Sequence, residues 1–281
     1  MAEAQFFRAQ GLKEACDLLS QYGAKARILA GGTDLMVAVN RRLLSPEILI
    51  FIGDVDLNYI KAQGDDLVIG AAACHADIAR SALVREKAPL LAAAVSSIGS
   101  PAIRNAGTIG GNLVTASPAA DSAVALLALG GKVNLVSSSN KRVVAVDAFF
   151  TGAGATVLKA NELLQEVIIP SQKGAKWGWH KLGQRKADIC SIVSVAASLQ
   201  LRNGTCTGAR LALGAVAPMP FLAKGASALV AGKRLDVALI EKVAEATAAE
   251  ISPIDDVRAT AWYRLRATKA LVKQVLERIA G

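Results

Sequence analysis

Between Gly11 and Tyr22 the apolar residues Leu12, Ala15, Cys16, Leu18 and Leu19 fall on one helical stripe, and Gly23 supplies a stop. The period then changes. Ala26–Ala30 reads as a short strand running into Gly31-Gly32, after which Asp34–Leu44 resumes helical spacing with Arg41 and Arg42 near its end. Glu47–Gly53 is a nearly continuous apolar run suited to a buried parallel strand, and Leu67–Ala72 reads as another. Asp77–Leu83 and Pro89–Ile98 have helical spacing, and Gly99-Ser100-Pro101 breaks it. Ile103–Asn112 then reads as a glycine-punctuated loop of the kind that lets backbone approach a ligand closely.

Ser117-Pro118 is a helix-start signal that puts Asp121 in the first turn of an apolar helix, Ala119–Leu129, stopped at Gly130-Gly131. Lys132–Val136 and Arg142–Val146 predict a hairpin through Ser137–Asn140, and Asn161–Ile169 is a strand ending at Pro170. Polar Ser171–Lys176 is the candidate boundary. Beyond it, Trp177–Leu182, Ser191–Arg202 and Thr207–Ala217 read as antiparallel strands, the last two joined by the turn pair Asn203-Gly204. Helices over Asp236–Glu250 and Ala259–Ile279 finish the chain. The expected division is a region 1–172, with parts at about 1–55 and 56–172, and a domain 173–281.

Composition supports this picture. The 281 residues suffice for two cores, and with 53% hydrophobic but only 4% aromatic residues those cores must be filled by Ala, Val, Leu and Ile. The net charge of +9 is spread along the chain, which argues against nucleic acid. It fits an unremarkable surface, an anionic cofactor or an acidic partner. Cys16, Cys74, Cys190 and Cys206 lie far apart with no metal-ligand spacing, and His75 and His180 are the only histidines, so no metal site is expected. Met1–Arg8 does not read as a leader, and no run of about 18 apolar residues occurs, so a cytoplasmic protein without a membrane span is expected.

The first glycine pair matches neither a Gly-x-Gly-x-x-Gly fingerprint nor a P-loop. It is a strand-to-helix turn whose N–H groups either face an anion or simply close a tight turn. Gly107–Asn112 adds a second small-residue segment with a hydroxyl and an amide, and two such segments could hold the ends of a pyrophosphate.

Ala30-Gly31-Gly32-Thr33-Asp34 and Thr108-Ile109-Gly110-Gly111-Asn112 together resemble the signatures of the FAD-carrying subunits of xanthine dehydrogenase and carbon monoxide dehydrogenase, the molybdenum hydroxylases. Ser117-Pro118-Ala119-Ala120-Asp121, Glu162-Leu163-Leu164 and Lys181–Ile189 follow in that family's order. The resemblance implies an FAD-binding region of two α/β (PCMH-like) subdomains followed by an α+β domain with an antiparallel sheet and helices. By that likeness Ile28, Leu29, Ala30, Gly31, Gly32, Thr33, Asp34 and Leu35, with Thr108, Ile109, Gly110, Gly111 and Asn112, wrap the pyrophosphate and ribityl chain. Ile98 lies near the adenine or its linker, Asp121, Leu164 and Lys181 contact FAD, Arg185 approaches the flavin edge, and His75 makes a minor contact.

Each has an ordinary alternative. Asp121 also suits a helix N-terminus, and Lys181 and Arg185 suit a solvated face. A cation near the flavin's pyrimidine edge would stabilise the reduced form. The Lys181–Asp188 segment is one residue shorter than is usual in the family. The resemblance further implies electron transfer from iron–sulfur clusters in a small partner, reduced by a large subunit carrying the molybdenum cofactor, to NAD+ or another acceptor. A dimer of heterotrimers is the implied assembly, with no catalytic residue in this chain. The alternatives are a self-sufficient FAD-dependent oxidoreductase and a scaffold whose glycine segments are mere turns. On this reading, Gly110→Val would abolish FAD retention while the chain still folds.

Overall fold

The computed structural model describes residues 4–185 and 188–281. The chain opens with β1 (Gln5–Arg8), α1 (Leu12–Tyr22), β2 (Ala26–Leu29), α2 (Leu35–Asn40) and β3 (Ile48–Phe51). β4 (Ile60–Gln63) and β5 (Asp66–Gly70) precede six helices, α3 (His75–Arg80), α4 (Ala82–Lys87), α5 (Pro89–Ser96), α6 (Pro101–Ala106), α7 (Ile109–Thr115) and α8 (Asp121–Ala128). β6 (Lys132–Val136), β7 (Lys141–Ala145), β8 (Phe150–Gly152), β9 (Ala155–Thr156) and β10 (Leu163–Ile169) follow. The last part holds β11 (Ala175–Leu182), β12 (Val193–Arg202), β13 (Thr205–Gly214), β14 (Phe221–Leu222), α9 (Lys224–Val230), α10 (Val237–Glu250) and α11 (Ala261–Ala280).

The first sheet has the order β1-β3-β2 and is parallel, with β3 central as its unbroken apolar run requires. The second sheet, β4-β5-β10-β6-β7, is antiparallel throughout. Leu67–Ala72 is therefore not a parallel strand. Its run of buried residues reflects cover on both faces of the sheet, which does not by itself set strand direction. One face meets the helices, where Leu67, Ile69, Leu135 and Val167 share a core with Leu90, Leu91, Val95, Leu126 and Leu127.

The third sheet, β11-β12-β13-β14, packs one face against α10 and α11, and Ala196 and Ala212 on its other face join the core built around α8. The hairpin at Asn203-Gly204 has the positive φ of 52° and 75° that such a tight two-residue turn demands. Asp236 and Thr260 cap α10 and α11 with their side chains, fixing both starts.

Ile103–Asn112 is mostly helical, which corrects the loop expectation. Ser100 and Thr108 each accept an N–H three residues on, so two short capped helices meet at Gly107. Ser117-Pro118 forms a turn ahead of α8 rather than its first residues, since α8 starts at Asp121. Asp34–Leu44 stops at Asn40, and Asp77–Leu83 is divided at Ser81, which caps α4.

Candidate functional site

β2 pairs with β3 up to the bond from Ile52 N–H to the Leu29 carbonyl. The chain then leaves the sheet through Gly31 and Gly32, the latter at φ +70°, where a residue without Cβ is favoured. Among the described residues no acceptor engages the N–H groups of Gly31, Gly32, Thr33, Asp34 or Leu35, while the Gly32 and Asp34 carbonyls take the N–H groups of Met36 and Ala38. Successive unengaged N–H groups on an exposed turn form a cradle for an anion. Gly31 lies so close to the end of α6 that a Cβ there would come 1.7 Å from the Ala106 carbonyl oxygen.

The second glycine segment works differently. Ile109 and Gly110 donate to the carbonyls of Ala73 and Ala71, Gly111 to Thr108 Oγ1, and Asn112 to the Thr108 carbonyl. The backbone donors from Ile109 to Asn112 are thus occupied within the protein, and Thr108, Ile109 and Gly110 are buried. A Cβ on Gly110 would meet Ala71 Cβ at 2.7 Å and its carbonyl oxygen at 2.8 Å, so this glycine serves packing against a strand end. The two segments touch through side chains as well: Thr115 Oγ1 donates to Asp34 at 3.3 Å. Asn112 accepts from Ser122 at 2.6 Å, which ties α7 to α8.

His75 braces this junction with its N–H on the Gly107 carbonyl. Its ring is 2% exposed, and Nδ1 has no partner. Burial, with help from the nearby Arg104 guanidinium, pushes its pKa down to about 4, so the ring is neutral at physiological pH. Arg104 in turn donates to the carbonyls of Ile98 and Gly99, holding the end of α5. Leu164 is a core residue on β10, opposite Leu135, and its side chain does not reach the surface.

Asp121 and Lys181, 60 residues apart, meet in a buried ion pair at 2.6 Å. The Lys181 ammonium also donates to the Ser97 carbonyl at 2.8 Å, and Ser191 donates to the other Asp121 oxygen at 2.7 Å. Burial pushes the Asp121 carboxyl up, while Lys181 and the hydroxyls of Ser191 and Ser194 pull it back toward the charged form. Neither residue is a solvated surface charge. Lys181 lines a cleft of about 490 Å³ with Ser97, Leu182, Gly183, Gln184, Arg185 and Ile189. Arg185 is exposed on its rim and donates to the Asp188 carbonyl at 2.5 Å; Lys186 and Ala187 of the same segment lie outside the described residues. Sequence reasoning did not find Ser97, Arg104 or Ser191, because a carbonyl contact and a serine on a strand's approach carry no local signal.

An N–H cradle on an α/β framework and a separate cleft lined by a buried ammonium supply the kinds of donor that a phosphate-bearing cofactor needs. Residues 2–172 match the model of the FAD binding domain in molybdopterin dehydrogenase, and residues 179–279 that of the CO dehydrogenase flavoprotein C-terminal domain. The chain belongs to the FAD-binding medium subunits of the molybdenum hydroxylase family. It is 33% identical to the glyceraldehyde dehydrogenase medium chain of Sulfolobus acidocaldarius, over 99% of each chain. With the carbon monoxide dehydrogenase medium chain of Hydrogenophaga pseudoflava it shares 31% identity, over 97% of this chain and 95% of that one. A solved structure of carbon monoxide dehydrogenase from that organism superposes with a TM-score of 0.95, covering 99% of this chain and 97% of the other at 31% identity. FAD is the cofactor of this subunit type, and no helix among the described residues is long and apolar enough to cross a membrane.

Proposed function

We propose that the chain is the electron-transfer subunit of a molybdenum hydroxylase. On this reading it takes electrons from iron–sulfur clusters of a small partner, which a large molybdenum-cofactor subunit reduces, and delivers them to NAD+ or another acceptor. FAD supplies the redox chemistry when bound. The observation that carries the reading is the run of unengaged N–H groups from Gly31 to Leu35, a donor set that fits a pyrophosphate.

The chain's own residues then bind and orient. Gly31–Leu35 hold the anionic centre, with Ile28, Leu29 and Ala30 leading into it, and Thr108–Asn112 brace the cradle from behind while presenting Asn112 and the exposed Gly111. Asp121, Lys181 and Arg185 belong to the redox end, where the ammonium faces the cleft and Asp121 offsets its charge, and Ile98 lies near the adenine or its linker. Leu164 and His75 support this arrangement from the core and the turn. The region 1–172, with parts near 1–55 and 56–172, carries the cofactor, and 173–281 closes the redox end. The assembly is a cytoplasmic dimer of heterotrimers.

Purification from the native source without stripping partners tests this. A flavin spectrum, co-purifying iron–sulfur and molybdenum subunits, and reoxidation by NAD+ or a dye are expected. A colourless chain, or a lone flavoprotein that turns over an organic substrate, overturns the proposal.

A further inference from the structure

Resting on the FAD reading above, we propose that Ser191 is a positioning residue: it fixes the Asp121 carboxylate and thereby sets how much of the Lys181 charge reaches the cleft. An ammonium has three N–H donors. Those of Lys181 reach the Ser97 carbonyl and Asp121 Oδ2, which leaves one donor for the cleft that the side chain lines. Asp121 is 4% exposed, and Ser191 supplies the donor on its second oxygen.

In so enclosed a place the two charges interact strongly, and the field felt in the cleft is the small difference between them. That difference depends on keeping Asp121 ionised and fixed. Lys181 is the charge that faces Asp121, from β11; the hydroxyl of Ser191 faces it from the approach to β12, and that of Ser194 from β12 itself. Ser191 is itself held by its neighbours. Ile192 donates to the Leu182 carbonyl, and the buried Arg264 donates to the Ile192 carbonyl at 2.6 Å, so the backbone beside the hydroxyl is pinned on both sides. A residue that only filled space would not need its oxygen 2.7 Å from a buried carboxylate.

Loss of the hydroxyl removes the Ser191 donor from Asp121 Oδ1, leaving Ser194 as the nearby hydroxyl, and shifts the balance toward the protonated carboxyl and a more positive pair. Loss of the ammonium leaves the buried carboxyl to take up a proton and removes the buried positive charge that lines the cleft, so the field there becomes less positive. Because the reduced cofactor is the more negative form, the two changes move its potential in opposite directions.

The test uses the full chain in its native assembly and measures flavin midpoint potential together with thermal stability in Ser191→Ala, Ser191→Thr, Asp121→Asn and Lys181→Met. Ser191→Ala and Asp121→Asn are expected to tighten the reduced relative to the oxidised cofactor about tenfold, an upward shift of about 30 mV for a two-electron couple. Lys181→Met is expected to shift it downward, and Ser191→Thr, which keeps the hydroxyl, to match the parent. A parent assembly in which this chain carries no flavin sinks the FAD reading and this inference with it. A flavin-bearing Ser191→Ala or Asp121→Asn at the parent potential, or shifts of one sign in all variants alongside lowered stability, sinks the positioning role alone. The opposite signs of Asp121→Asn and Lys181→Met decide the matter if Ser191→Ala does not fold.

Discussion

His75 shows how a single residue can have a role that its type does not announce. A histidine in a turn beside a cofactor segment suggests a ligand contact, yet its ring is sealed in the core and its N–H carries the structural load. The folded chain binds a proton there only near pH 4, whereas an unfolded histidine does so near 6.5. Between those values the unfolded state takes up more protons. Stability therefore falls as pH drops through that window, by up to about 3 kcal/mol. Urea unfolding at pH 7 and at pH 5 should show a smaller loss in His75→Gln than in the parent, and identical losses would assign the effect to other groups. At this scale the sequence displayed Asp121 and Lys181 through their motifs, but not their pairing. Charge type is local information; the partner of a charge 60 residues away is not.

At the scale of elements, the two glycine segments separate into a cradle and a brace, and substitutions should separate likewise. Gly31→Ala would push a Cβ into the Ala106 backbone carbonyl, which the exposed turn relieves only by moving, so flavin retention should fall sharply with a smaller drop in melting temperature than for a clash inside the core. Gly110→Val would instead press on the backbone of Ala71 inside the core, costing about 1–3 kcal/mol in stability. This adds a stability cost to the expectation that the Gly110→Val chain still folds while losing FAD. Thermal unfolding followed by flavin release on the two variants distinguishes the cases, and equal melting points would contradict the assignment. The long helices α10 and α11 and the Asn203-Gly204 hairpin were legible because caps and positive φ are written in a few adjacent residues. The two-residue strands β9 and β14 were not, since they exist only where a neighbour offers its edge. Ile103–Asn112 was misread because glycine marks both open loops and close packing.

At the scale of the molecule, α8 is the shared wall. All 8 of its residues are buried: the helical layer of the second sheet lies on one side, and Ala196, Ala212 and Gly214 of the third sheet lie on the other. Arg210 donates to the Leu127 carbonyl at 2.7 Å, and Gln172, in the polar stretch between the two parts, ties the Leu129 carbonyl to Ser198. A fragment ending at residue 172 would expose one apolar side of α8, and it should aggregate in size-exclusion chromatography while the full chain unfolds in a single calorimetric transition. A soluble, cooperatively folding fragment would show that the third sheet is dispensable. The sequence by itself determined the longer helices and strands, the fold class, the glycine segments and, through their pairing, the cofactor family, because periodicity, caps and backbone freedom are short-range properties. Only the tertiary structure decided strand direction in the second sheet, which glycine segment keeps free donors, and that Ser97, Asp121, Lys181 and Ser191 form one buried cluster. Those features depend on which distant groups become neighbours when the cores close around α8, and burial then fixes whether a charge is solvated or paired.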